Sequence, residues 1–124
     1  MTEYLTVVDV LAIHEEMIAV YGGSRGLRDP GLLEAALFRP QTGYYPDLIA
    51  EAAALWESLS QNHAFVDGNK RVAFGAMLAF LEINGIGLTA DAVSAWTFLA
   101  PLYERGDIRF EVLDAWLRTN TRGA

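Results

Sequence analysis

Residues 69–84 limit the possible folds more than any other stretch of this chain. Val72, Phe74, Met77, Leu78, Phe80, Leu81 and Ile83 place apolar side chains nearly all the way round a helix. Such a helix has to be enclosed by neighbours, so it reads as the buried centre of a bundle. At its start stands a cluster of charged and polar residues, Asp67-Gly68-Asn69-Lys70-Arg71. The flanking sequence shows no repeat, no low-complexity tract and no alternating run long enough for a sheet. An all-α fold follows: a helical bundle around that central helix, possible with a short flap loop, built as one domain over residues 1–124. At 52% hydrophobic content the chain is long enough to bury a real core.

The surrounding helices are marked by their caps and breaks. Thr6 can cap a first helix with Val7, Leu11, Ile18 and Tyr21 on one stripe beside Val10, Ile13 and Met17, ended by Gly22-Gly23. His14 sits at the edge of that stripe and reads as a packed or hydrogen-bonded residue. Asp29-Pro30 starts a second helix that stops before Pro40, with Leu32, Leu33, Ala36 and Leu37 inward. Residues 40–47, with two prolines and a glycine, read as a loop or flap, in which Tyr44 and Tyr45 either dock a target or pack on the next helix. A third helix from Leu48 to Asn62 delivers His63 at its end. Beyond Asn84-Gly85, Thr89 can cap a helix with Val93, Trp96, Phe98 and Leu99 whose end Pro101 disturbs. Gly106-Asp107 then leads into a last helix through Leu113, Trp116 and Leu117. Trp56, Trp96 and Trp116 fit helical stripes and read as core, and Arg25 and Arg28 read as residues of a solvated loop, with contact to a substrate or a protein partner as the alternative.

Charge and cysteine content remove several classes of function. A net charge of -7 and a pI near 4.6 oppose a surface that tracks nucleic-acid phosphates, so no direct nucleic-acid partner is expected. Without cysteine there is neither a disulfide framework nor a thiolate metal site, which suits a reducing cytoplasm. The longest apolar or glycine run, residues 72–81, is far short of a membrane span, and the first residues lack a basic leader. Among nine basic residues the one lysine is Lys70, set between Asn69 and Arg71, which suggests a local task.

The residue types from 63 to 71 each have a use at a helix start. The first N–H groups of a helix lack internal partners and lie at its positive end, so they form an anion site. Gly68 admits a phosphate close to the backbone, and Asn69, Lys70 and Arg71 add donors to the same spot. Asp67 is poorly suited to hold phosphate but well suited to hold Mg²⁺ beside phosphate oxygens. His63 can take a proton from an attacking hydroxyl near neutral pH. Taken singly, Asp67-Gly68 is more often a plain turn than a metal site, a balance that the following Asn-Lys-Arg reverses, and Arg71 is equally a surface cation.

The run His63-Ala64-Phe65-Val66-Asp67-Gly68-Asn69-Lys70-Arg71 resembles the Fic/Doc signature His-x-Phe-x-Asp/Glu-x-Asn-Gly/Lys-Arg, with the lysine of the Doc-like branch. Tyr21-Gly22-Gly23, Gly26, Arg28-Asp29-Pro30-Gly31 with Glu34-Ala35, and Phe80-Leu81 before Asn84-Gly85 are also similar to Doc toxins. The resemblance implies a toxin of a toxin-antitoxin system, with His63 as general base, Asp67 as Mg²⁺ ligand, Asn69 and Arg71 as phosphate holders, Gly68 shaping the anion loop and Phe65 as a structural anchor. Lys70 stands where adenylyl-transferring relatives have glycine. In the Doc branch this goes with kinase activity, in which ATP gives its γ-phosphoryl group to a threonine of elongation factor Tu and arrests translation. The runner-up is transfer of AMP or another nucleotidyl group to a protein hydroxyl, against which Phe74 replaces the second arginine of such relatives. A catalytically silent interaction module is the third reading, disfavoured by the intact His, Asp, Asn and Arg. No glutamate is followed by glycine or asparagine, so the inhibitory helix of many family members is absent and a separate Phd-like antitoxin is implied, its C-terminal helix lying in a groove of the toxin.

Overall fold

The structure, a computed structural model, describes residues 1–123. Within them six helices form: α1 (Val7–Tyr21), α2 (Pro30–Phe38), α3 (Leu48–Asn62), α4 (Asn69–Ile83), α5 (Ala92–Arg105) and α6 (Phe110–Thr119). The all-α expectation holds, with one small addition. Strands β1 (Ile86–Leu88) and β2 (Thr121–Gly123) pair antiparallel, Ile86 opposite Gly123. Three residues on each side are too few to show an alternating pattern in sequence.

Most helix starts follow from a local side chain. Thr6 and Asp9 form a reciprocal capping box on α1. Asp29, Asp47 and Asp91 accept from the third N–H of α2, α3 and α5. The cap of α5 is therefore Asp91, not Thr89. Pro101 lies inside α5, which runs on to Arg105. Its ring is exposed, so the lost backbone bond falls on the solvent side and the helix need not end there.

The centre of the molecule is α3 against α4. Both are enclosed, α3 more completely: ten of its fifteen residues are buried, among them four alanines that let neighbours approach on several sides. On α4, Val72, Met77, Phe80 and Leu81 are buried, whereas Ile83 is 50% exposed. Fully burying a Leu, Phe or Met side chain contributes about 1.5–3 kcal/mol, so this pair holds a large share of the stabilising apolar surface. Trp56 lies at its heart, edge-on to Phe74 and Trp116.

Three sequence expectations about packing need correction. The buried line on α1 is Val10, His14 and Ile18, and Leu11 and Tyr21 are exposed. Trp96 is not core: it is 59% exposed on α5. α2 ends before Pro40 as expected, but the loop does not begin there, because Arg39–Thr42 form a 3₁₀ turn in which the proline is buried. Tyr45 packs on Phe110 and receives the Arg39 guanidinium at its hydroxyl, while Tyr44 is exposed.

Candidate active site

The α3–α4 connection is short and held from both sides. α3 ends at Asn62, and His63 turns the chain with φ 51° and ψ 49°, the one non-glycine residue with positive φ among those described. Ala64 and Phe65 then enter the core, and Val66 to Gly68 return to the surface. Asn69 closes this loop on itself: its Oδ1 accepts from Phe65 N–H and its Nδ2 donates to Phe65 O, each at 3.0 Å. Gly68, at φ 77°, starts α4; a Cβ there would lie 3.3 Å from Ile18 Cδ1 and 3.6 Å from His14 Nε2.

From α1, His14 supports the loop underneath. It is 3% exposed, stacks on Phe65 with centroids 3.9 Å apart, and donates through Nε2 to Asp67 O at 2.7 Å. From the opposite side comes the glycine-rich segment 22–29. Leu27 bridges Phe65, Val66 N–H donates to Gly26 O at 3.0 Å, and Arg28 N–H and Asp29 N–H both donate to Ala64 O. The Arg28 side chain donates to the carbonyls of His63 and Asn62.

Asp67 is tied into the same frame. Its carboxylate accepts from Ser24 N–H at 3.0 Å and Gly68 N–H at 2.8 Å, and these two donors, Ser24 first, hold the carboxyl below the usual range. Asp67 is therefore ionised at neutral pH. Gly23, at φ 116°, passes so close that a Cβ would sit 2.7 Å from Asp67 Oδ2, which only glycine avoids.

The start of α4 differs from the other five. α1, α2, α3 and α5 have side-chain caps, and the first N–H of α6 donates to Glu57 at 2.6 Å. α4 has no capping side chain and instead carries two cations in its first turn. Lys70 rests over the Tyr103 ring at 4.8 Å and Arg71 over the Tyr21 ring at 4.9 Å. A cation opposes the helix dipole there unless an anion arrives.

A cavity of about 440 Å³ opens over this helix end, lined by His63, Val66, Asp67, Gly68, Asn69, Lys70, Arg71 and Trp96. Every residue singled out in sequence except Phe65 reaches it, and Phe65 lies beneath as a buried plug. Two placements differ from expectation. The Asn69 side chain, expected to hold phosphate, serves the loop and leaves one amide hydrogen for a ligand, and the Asp67 carboxylate, expected to face a metal, also accepts two backbone hydrogen bonds. His14, Ser24, Arg28 and Trp96 were not foreseen as parts of the site. Among the described residues no three His, Cys, Asp or Glu side chains gather to hold a metal, so a cation here would share Asp67 with ligand oxygens or water.

Comparison with known proteins places this geometry. The model of the Fic/DOC family matches residues 4–81. The chain belongs to the Fic/DOC family. Over 96 residues it is 52% identical to Toxin Doc of Mycolicibacterium smegmatis, covering 73% of this chain and 72% of that protein. Over 82 residues it is 35% identical to Protein kinase doc of Escherichia phage P1, covering 63% of this chain and 65% of that one. This is a Doc-like member of the Fic/DOC family. The family match contains the whole of α1 to α3 and the 63–71 segment, whereas Trp96 lies beyond it.

Proposed function

We propose that this Fic/DOC chain is a Doc-type toxin that transfers the γ-phosphoryl group of Mg-ATP to a hydroxyl of a protein of translation, a threonine of elongation factor Tu being the expected target. The supporting observation is the shared cavity: His63 stands exposed on the same opening as the uncapped, doubly cationic start of α4. The backbone N–H groups of α4 with Lys70 and Arg71 hold the phosphates. His63 accepts the hydroxyl proton as the new O–P bond forms and the bond from the γ-phosphorus to the departing ADP breaks. Asp67 fits Mg²⁺, since it is ionised and each oxygen accepts a single protein hydrogen bond. When bound, the ion would neutralise charge on the phosphate oxygens.

γ-Phosphoryl transfer is favoured over AMP transfer by Phe74. Three residues beyond Arg71, it lies half-buried and edge-on to Trp56, and supplies no second guanidinium for the far phosphates. Control by a separate Phd-like antitoxin completes the reading, in keeping with the toxin name of the mycobacterial relative. No helix among the described residues is long and apolar enough to cross a membrane. The test is incubation of the purified protein with elongation factor Tu, Mg²⁺ and ATP labelled at the α or the γ phosphorus, followed by intact-mass analysis. Label from the γ position and a phosphoryl adduct are expected. An adenylyl adduct would transfer the assignment to nucleotidyl chemistry.

A further inference from the structure

His63 raises a physical question. A left-handed backbone is disfavoured for any residue bearing a Cβ, and one such residue persists only where its surroundings over-determine it. Glycine ends α1 and α5 in this structure, but glycine at 63 would leave no imidazole. Something has to hold residue 63 in that conformation.

The structure assigns this task to Arg28. Its guanidinium donates to Asn62 O at 3.3 Å and, through two nitrogens, to His63 O, with Nε at 2.9 Å. Its backbone N–H donates to Ala64 O at 2.7 Å. One residue thus grips three consecutive carbonyls, those before, at and after the strained position. The guanidinium also places positive charge against the carbonyls that end α3, where the helix dipole favours it. A planar fork can span two carbonyls at once, which an ammonium on a flexible stem cannot fix in the same way.

Arg28 is therefore a positioning residue that sets the direction of the His63 ring. It is exposed, so water can replace its hydrogen bonds to these carbonyls and their loss costs little global stability. Its loss accordingly appears in the geometry of the base rather than in the folded fraction. The assignment rests on His63 being the base, as proposed above, yet its structural half can be read independently.

The experiment compares wild type, Arg28→Lys and Arg28→Met by thermal melting, ATP titration, turnover and the NMR signals of the His63 imidazole. Expected are near-unchanged melting, an ATP KM within about twofold, and a kcat lower by roughly ten- to a hundredfold, as small misplacement of a reacting group produces. The His63 ring signals should broaden or split in both variants, and Arg28→Lys should recover only part of the loss. Full activity in Arg28→Lys, or an unaltered His63 signal in both variants, would overturn the assignment. If Arg28→Met fails to fold, a global role replaces it. Absence of phosphoryl transfer by wild type would instead refute the proposed reaction while the NMR comparison still decides whether Arg28 orients His63.

Discussion

The starts of α3 and α4 are two solutions to the same local problem. Asp47 accepts from Ala50 N–H at 2.9 Å, and its two oxygens meet the Arg118 guanidinium at 3.0 Å each, so α3 begins against an acid already neutralised within the protein. α4 begins at Gly68, which has no side chain to offer, and continues with Lys70 and Arg71. One end is complete when the chain folds; the other gathers positive charge with no acid in its first turn. A helix end left in this state costs stability, and the cost is compensated where an anion completes it. The difference separates residues that hold the molecule together from those proposed above to hold a ligand.

The comparison breaks most decisively at His63. His63→Ala should lower transfer on the order of 10²–10⁴-fold and relieve growth arrest in cells lacking antitoxin, with the melting temperature nearly unchanged. Undiminished toxicity from folded His63→Ala protein would remove it from the chemistry. A smaller effect is expected at Asp67. Asp67→Asn keeps an acceptor for Ser24 N–H or Gly68 N–H but not the ionised pair of oxygens, so calorimetry should show ATP affinity in Mg²⁺ falling at least about tenfold, with metal-free affinity changed less. Equal losses with and without Mg²⁺ would leave Asp67 only its role in the loop.

The smallest change belongs to the closed end. Asp47→Ala should destabilise the fold by about 1 kcal/mol, the usual worth of an N-cap, while activity per folded molecule stays constant. Its pH dependence has a definite sign. Arg118, followed by Ala50 N–H, lowers the Asp47 carboxyl below its ordinary value. The resulting stability is present above the unfolded pKa of about 3.9 and disappears as pH falls through the lower folded pKa. Acid titration of unfolding should show wild type converging on Asp47→Ala below that window, and parallel curves throughout would contradict it.

Most helix bounds were legible from local signals, but Thr89 and Asp91 both offer a capping side chain before α5 and only the fold selects Asp91. Thr6 marks α1, and Asp29-Pro30 marks α2. The face of α1 was misjudged because its buried line, Val10, His14 and Ile18, contains a histidine, and an apolar-only stripe rotates toward Leu11 and Tyr21. Trp96 was misjudged because helical spacing does not tell which flank of α5 meets the core. At the site, residues 63–71 were visible as a cluster of types. Arg28 was not, since its partners are main-chain carbonyls 34 and 35 positions away, and a carbonyl leaves no trace in residue identity. The inward turn of the Asn69 amide was hidden for the same reason: its acceptor and donor are the backbone of Phe65.

The rings under Lys70 and Arg71 carry a thermodynamic consequence. Long cationic side chains lose about 2 kcal/mol of rotamer entropy when fixed, and a free surface cation would lose it at the moment an anion is captured. Here Tyr103 from α5 and Tyr21 from α1 already narrow both side chains' motion in the folded protein. Part of the ordering is thus completed during folding, which leaves less to be ordered when an anion is captured.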